Sequence, residues 1–215
     1  MTAGVDSISV ERLTEMFLFV AEGMIDSIDV LTDADRMGDA DHGEGMARGF
    51  REVKAALQAS PSPETVGDLF FGVGTTLLNK VGGAAGAVFG TMFTKGAAEL
   101  KSTDTFDAAG LALFLSDGLR GVQARGKAQP GDKTMVDALA PAAARAEELK
   151  AAPLSDAVSE AAEAARVGVE HTKTMIAKFG KAKTLGERSR GHPDPGAVSI
   201  SLILGFMQDF LSSAR

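Results

Sequence analysis

Cysteine, tryptophan and tyrosine are all absent from the 215 residues. Without thiols there is no disulfide framework, thiolate zinc cluster or cysteine nucleophile. Without Trp and Tyr, the core must be built from Phe, Leu, Met and Ala. Long apolar runs are also missing. The best one, Val198 to Met207, is about half of the roughly 20 residues a membrane-spanning helix needs, so no membrane association is expected. A basic excess is missing too: 22 Lys and Arg stand against 29 Asp and Glu, a formal charge of −7. That argues against a nucleic-acid partner, which requires a basic footprint. It does not argue against a nucleotide, because a metal ion can supply local positive charge. Asp6 and Glu11 interrupt the basic, apolar, small-residue order of a signal peptide, so a cytoplasmic location is expected.

Apolar residues make up 45 % of the chain, enough for the core of a single domain spanning residues 1–215. Helical periodicity dominates. Val10, Leu13, Phe17, Val20, Met24 and Ile28 follow one helix face. Ser62-Pro63-Glu64 reads as a start signal for a helix over Leu69–Leu78. Thr105 and Asp107 open another helix to about Val122, Asp132 is placed to cap one through Leu149 that Pro141 should kink, and Leu154–Ala177 forms a long one. Asp194-Pro195 caps a last helix that is apolar nearly all round and therefore expected to be central. With shorter helices over Glu44–Gln58 and Gly86–Leu100 the total is about eight. No alternation reads as a strand. The predicted fold is all-α, a bundle or barrel of antiparallel helices with function on its end loops.

Four junctions carry the polar chemistry. The first, residues 33–43, holds Asp33, Asp35, Asp39 and Asp41 with His42 and flanking glycines. Carboxylates so crowded repel unless a cation lies among them, and magnesium prefers such oxygens. Asp39 and Asp41 are two apart, so an extended loop would point them the same way. An EF-hand is a poor fit, because no glutamate sits at the required distance. The second junction, VGGAAG at 81–86, places small residues at a helix start, where backbone N–H groups can hold phosphate oxygens; close helix packing would use the same residues. The third, RGKAQPGDKTM at 125–135, overlaps a near P-loop at Gly121–Lys127. Ala128 stands where Ser or Thr is required and a helix precedes it, so the P-loop is rejected. The fourth, LGERSRGHPDPGA at 185–197, is held by prolines and glycines and, with Lys181 and Lys183, brings basic charge. His171 lies on a helix and reads as structural.

GDADHG (38–43) and these three motifs together resemble the nucleotide-binding L subunit of dihydroxyacetone kinases, and the equivalent C-terminal domain of single-chain ketotriose kinases, over essentially the whole chain. The resemblance implies a barrel of eight helices with two magnesium ions bridging ADP or ATP phosphates at one end. Asp35, Asp39 and Asp41 would be the metal ligands. The Asp-Arg pair favours Asp35 as the first, with Asp33 as a competitor, since three residues separate Asp35 from Asp39 where the family has four. His42, Gly43, Glu44 and Gly45 would contact the phosphates, and Ala84 and Ala85 would add backbone contacts. Gly126 and Met135 would border the adenine or ribose, while Lys181 and the Asp194-Pro195-Gly196 turn would close the site. The family often has Asn at Gly45, Ser at Ala85 and Arg at Lys181.

The resemblance further implies a kinase subunit that works with a partner, the K subunit, which carries dihydroxyacetone or a similar short ketose. ATP would exchange, or ADP would stay bound and be rephosphorylated by a phosphotransferase-system protein. A nucleotide-loaded module docking on a transcription regulator is the alternative from another class, and a structural helical domain is a third reading. The resemblance also allows an apolar ligand, such as a lipid, inside the barrel.

Overall fold

The computed structural model describes residues 4–59 and 62–213. Ser9 opens α1 (Val10–Asp26): its hydroxyl accepts from the Arg12 N–H at 3.3 Å. Leu13, Met16, Phe17, Val20 and Met24 are buried along α1. The face predicted to run on to Ile28 is interrupted at Ser27, whose hydroxyl bonds back to the Gly23 carbonyl at 2.7 Å. A short α2 (Ile28–Ala34) follows and leads into the acidic loop. Then come α3 (His42–Gln58), α4 (Val66–Lys80), α5 (Gly83–Gly96), α6 (Ala108–Gly126), α7 (Val136–Glu148), α8 (Leu154–Thr172) and α9 (Pro195–Ser213).

Eight of these helices, all but α2, are 13 to 19 residues long among the described residues. Each packs on the next along the chain, and α9 returns to α1, which closes a ring. The fold is all-α, as the periodicity indicates. Alternating helix direction has a direct consequence. The start of α3, the α4–α5 junction, the α6–α7 junction and the α8–α9 junction all fall at the same end of the ring, and these are the four polar motifs.

Several local expectations are corrected. Thr65, not Ser62, caps α4, accepting from the Asp68 N–H at 3.0 Å. Thr105–Asp107 is not the first helical turn but a strand, β2, paired antiparallel with β1 (Ser7–Ser9) through Ile8 and Phe106. Three residues are too few to show alternation in sequence, yet Ile8 and Phe106 are buried between exposed neighbours. Asp107 does start α6, accepting from Gly110 N at 2.8 Å. Helix α8 stops at Thr172, short of Ala177. Helix α7 continues through Pro141, which has no N–H for the Asp137 carbonyl one turn back. Gly168 of α8 lies against that carbonyl so closely that a Cβ there would stand 2.3 Å from it.

Helix α9 is one stave of the ring rather than its centre. Ile200, Ile203, Leu204 and Met207 face inward, while Leu202 and Phe206 are half-buried. Phe206 lies under Phe19 of α1, centroids 6.4 Å apart. Over its 19 residues α9 is long and apolar enough to cross a membrane, with a mean hydropathy of 1.3; its apolar face is committed to α1 and α8. Inside the ring Phe17, Phe70, Phe93 and Phe114 make a cluster in which Phe70 stacks on Phe114 at 4.1 Å and meets Phe17 edge-on at 5.3 Å. Such contacts add to area burial and replace the missing Trp and Tyr.

Candidate nucleotide site

The acidic loop converges on one point. One carboxylate oxygen from each of Asp35, Asp39 and Asp41 lies within 4.8 Å of the other two. The loop is not extended as expected: Ala40 takes a left-handed conformation, φ 58°, and so aims its two neighbours together. Gly38 lets the chain turn tightly over Asp35, where a Cβ would stand 2.3 Å from its Oδ1. The other Asp35 oxygen accepts the His42 N–H at 3.3 Å, joining the cluster to the start of α3. Asp33 lies outside the cluster, exposed and paired with Arg36 at 3.3 Å.

Burial, reinforced by Asp39 and Asp41, pushes the Asp35 carboxyl up from its ordinary value. Lys181 donates to Asp39 at 3.0 Å and holds that carboxyl down. Like charges 4.8 Å apart repel by about 1 kcal/mol in water and by about 3–4 kcal/mol at an effective dielectric near 20. One ammonium against three carboxylates leaves the cluster short of positive charge. Hard oxygen donors in this number fit a magnesium ion.

The cluster forms one wall of a cavity of about 580 Å³, a volume typical of small-molecule sites. The start of α5 lines the same cavity. Gly82 and Gly83 both have positive φ, 85° and 57°, and Gly82 offers no side chain to cap the helix. The first backbone N–H groups of α5 have no partner within the helix and carry its positive dipole end. Val88, Phe89, Val122, Ala128, Met135 and Val136 give the cavity an apolar face. Gly126 borders it, and Phe179, Gly180 and Lys181 with Asp194-Pro195-Gly196 complete the rim.

Of the residues singled out in sequence, the cavity thus gathers Asp35, Asp39, Asp41, His42, Ala84, Ala85, Gly126, Met135, Lys181, Asp194, Pro195 and Gly196. Gly43, Glu44 and Gly45 do not line it. Gly43 packs on α2, where a Cβ would be 2.4 Å from the Ile28 carbonyl, and Glu44 is exposed. Gly45 lies against the Val81 carbonyl. The His42 ring is buried, with Nε2 2.8 Å from the Ser199 hydroxyl, and burial pushes its pKa down to about 4, so it is neutral at physiological pH.

The loop at 125–135 is organised differently from expectation. Helix α6 runs through Gly126, so the near P-loop is helical, and Lys127 ends that helix at φ 62°. Asp132 does not cap α7. It accepts from Gln129 N at 2.7 Å and pairs with Lys178 at 2.7 Å. Asp137, in the first turn of α7, instead ties the preceding loop to the helix, accepting from Gly131 N and Thr134 N. Asp194 caps α9 as expected, accepting from Ala197 N at 2.8 Å, and burial pushes its carboxyl up to about 7.

Arg48, Lys133 and Phe179 also line the cavity and carry no sequence signal of their own. Lys133 is 4 % exposed. Its ammonium donates to the Thr172 carbonyl at 2.6 Å and to the His192 carbonyl, fastening the end of α8 and the start of the α9 turn to the 125–135 loop.

The pattern of the DAK2 domain family matches residues 36–209. The PEP-dependent dihydroxyacetone kinase 1, ADP-binding subunit DhaL, of Listeria innocua is 41 % identical over 179 residues, 83 % of this chain and 85 % of that one. The corresponding Escherichia coli subunit is 41 % identical over 177 residues, 81 % of this chain and 84 % of that one. Among solved structures, the dihydroxyacetone kinase of C. freundii in complex with AMP-PNP and Mg2+ superposes with a TM-score of 0.72 at 26 % identity, covering 91 % of this chain and 33 % of that one. The chain therefore spans most of the bacterial subunits and about a third of the C. freundii kinase. With Asp39, Asp41, α3 through α8 and most of α9 inside the matched region, the chain belongs to the DAK2 domain family.

Proposed function

We propose that the chain is a single domain, residues 1–215, acting as the ADP-binding subunit of a dihydroxyacetone kinase. The observation that carries this is the convergence of Asp35, Asp39 and Asp41 on the same cavity as the uncapped start of α5. Carboxylates alone would repel a polyphosphate, and helix N–H groups alone would bind any small anion. Together they suit a metal–polyphosphate complex. The similarity to subunits named ADP-binding supports the same reading.

Asp35, Asp39 and Asp41 would hold two Mg2+ ions, which neutralise terminal phosphate charge when bound. The N–H groups of Ala84 and Ala85 and the Lys181 ammonium would orient phosphate oxygens. The apolar wall with Gly126 and Met135 would take the base. His42, neutral and tied to Ser199, would pack behind the phosphates rather than move a proton. Transfer is then positioning plus electrostatics, with no side chain here forming a covalent bond. The acceptor ketose would sit on a separate K subunit in the cytoplasm, and a phosphotransferase-system protein would recharge the retained ADP.

The test is reconstitution. The chain alone should phosphorylate no dihydroxyacetone, and adding a K subunit with the phosphoenolpyruvate-driven donor proteins should restore turnover. Robust ketose phosphorylation by the isolated chain would sink the division of labour.

A further inference from the structure

Arg48 stands on α3, six residues after His42, and reaches across to the end of α4. Its Nε donates to the Lys80 carbonyl at 2.9 Å, and its Nη2 donates to the Val81 carbonyl. These are among the last carbonyls of α4, which have no partner within the helix, and a cation there also opposes the negative dipole end. The fork is seated closely. A Cβ on Gly82 would be 3.5 Å from Nη2, and a Cβ on Gly45 would be 3.3 Å from the Val81 oxygen.

The peptide that follows is unusually free. Gly82, at φ 85°, lets the Val81–Gly82 peptide plane rotate at little steric cost, and Gly83, at φ 57°, does the same for the next peptide. Rotated, the Val81–Gly82 peptide would release the Val81 oxygen from Arg48 and leave an unpaired acceptor at a residue that lines the cavity, set against an anionic ligand. Engaging that carbonyl with the guanidinium offsets its partial negative charge. Arg48 also lines the cavity itself. Helix α3 begins immediately after Asp41, and six residues of helix span about 9 Å. One rigid element therefore links the acidic cluster to the small-residue turn.

We propose that Arg48 is the positioning residue that locks the Val81–Gly86 turn with the Val81 oxygen engaged and sets its distance from the Asp35–Asp39–Asp41 cluster. Its effect on a ligand acts through the turn. The role depends on the fork: Lys at this position would keep the charge but lose the paired, planar donors. The inference rests on reading the cavity as a nucleotide site.

The experiment compares the wild-type chain with Arg48→Lys and Arg48→Ala. Mg-ADP is titrated calorimetrically, and backbone hydrogen exchange over residues 81–86 is followed in the ligand-free proteins. Both variants should bind Mg-ADP about 10- to 100-fold more weakly, the range seen when residues supporting a site are lost, and both should exchange faster at the turn while keeping wild-type helix content. Arg48→Lys matching the wild type in affinity, or exchange over 81–86 unchanged in both variants, would overturn the proposal. A wild-type chain that binds no Mg-ADP would overturn the nucleotide reading and Arg48's part in it. Normal wild-type binding with unaffected variants would overturn Arg48's role alone.

Discussion

Lys181 holds Asp39: its Nζ lies 3.0 Å from Oδ2, joining the rim of the α8–α9 loop to the acidic cluster. Both side chains are well exposed, 73 % and 42 %, so the pair matters less for stability than for what it occupies. It covers an oxygen that a metal ion would use, and it would be released onto a phosphate when one arrives.

Lys181→Met should therefore separate two affinities. Binding of Mn2+ alone, followed by its paramagnetic resonance signal, should tighten by roughly two- to five-fold, the scale of an exposed ion pair. Binding of Mg-ADP should weaken. Unchanged Mn2+ affinity would mean that the contact does not compete for the site.

The cluster stores repulsion in the metal-free protein. Asp35→Asn removes a carboxylate that burial and its two neighbours already push toward protonation, and it retains an oxygen to accept the His42 N–H. The metal-free melting temperature should rise by about 2–4 °C, the equivalent of roughly 1 kcal/mol in a chain of this size, while metal binding falls at least about tenfold. Asp33→Asn, outside the cluster, should change neither. A melting temperature that falls in Asp35→Asn would show that the carboxylate stabilises the loop.

His42, buried, and Asp194, half-buried beside the cavity, give opposing pH dependence in the metal-free chain. The Asp194 carboxyl is raised to about 7 in the fold from about 3.9 unfolded, so the native state holds an extra proton between those values. Stability falls there as pH rises. His42 is lowered to about 4 from about 6.5, so its contribution is complete above the unfolded value and is lost as pH falls toward 4. The two slopes offset each other. Asp194→Asn, which can still cap α9, should expose the His42 slope: stability measured by urea unfolding should rise between pH 4 and 6.5 by an amount on the order of 1–3 kcal/mol. A flat profile in that variant would contradict the assignment.

The contact between α7 and α8 leaves no room for a methyl group. Gly168→Ala would place a Cβ 2.3 Å from the Asp137 carbonyl, and neither backbone can yield without parting the helices. A loss of about 1–3 kcal/mol is expected in denaturant unfolding. A neutral result would mean that the ring relaxes at this seam.

Much of this was legible in sequence because it rests on local signals. The three-to-four spacing of Leu13, Phe17 and Val20, and the Asp194-Pro195 cap, need only neighbouring residues to form. The shared location of the four motifs also follows, since antiparallel helices put alternate junctions at one end. What escaped depends on contacts remote in sequence. The β1–β2 ladder joins residues about a hundred positions apart through a single buried pair, Ile8 and Phe106. Arg48 and Lys133 look like ordinary surface cations until the carbonyls of Lys80, Val81, Thr172 and His192 come within reach. The burial of Lys133 and His42 follows from ring closure, which no window of sequence contains. Gly43 and Gly45 fit a phosphate loop by pattern, yet their backbones are used for helix packing.

The central claim is that Asp35, Asp39 and Asp41 hold a metal–nucleotide complex against the start of α5. Native mass spectrometry of the freshly purified chain tests it most directly, with the Asp39→Ala/Asp41→Ala variant as control and Mg-ATP added in a second run. Added mass matching ADP with magnesium is expected on the wild-type chain and none on the variant. A wild-type chain that stays bare even in Mg-ATP would contradict it.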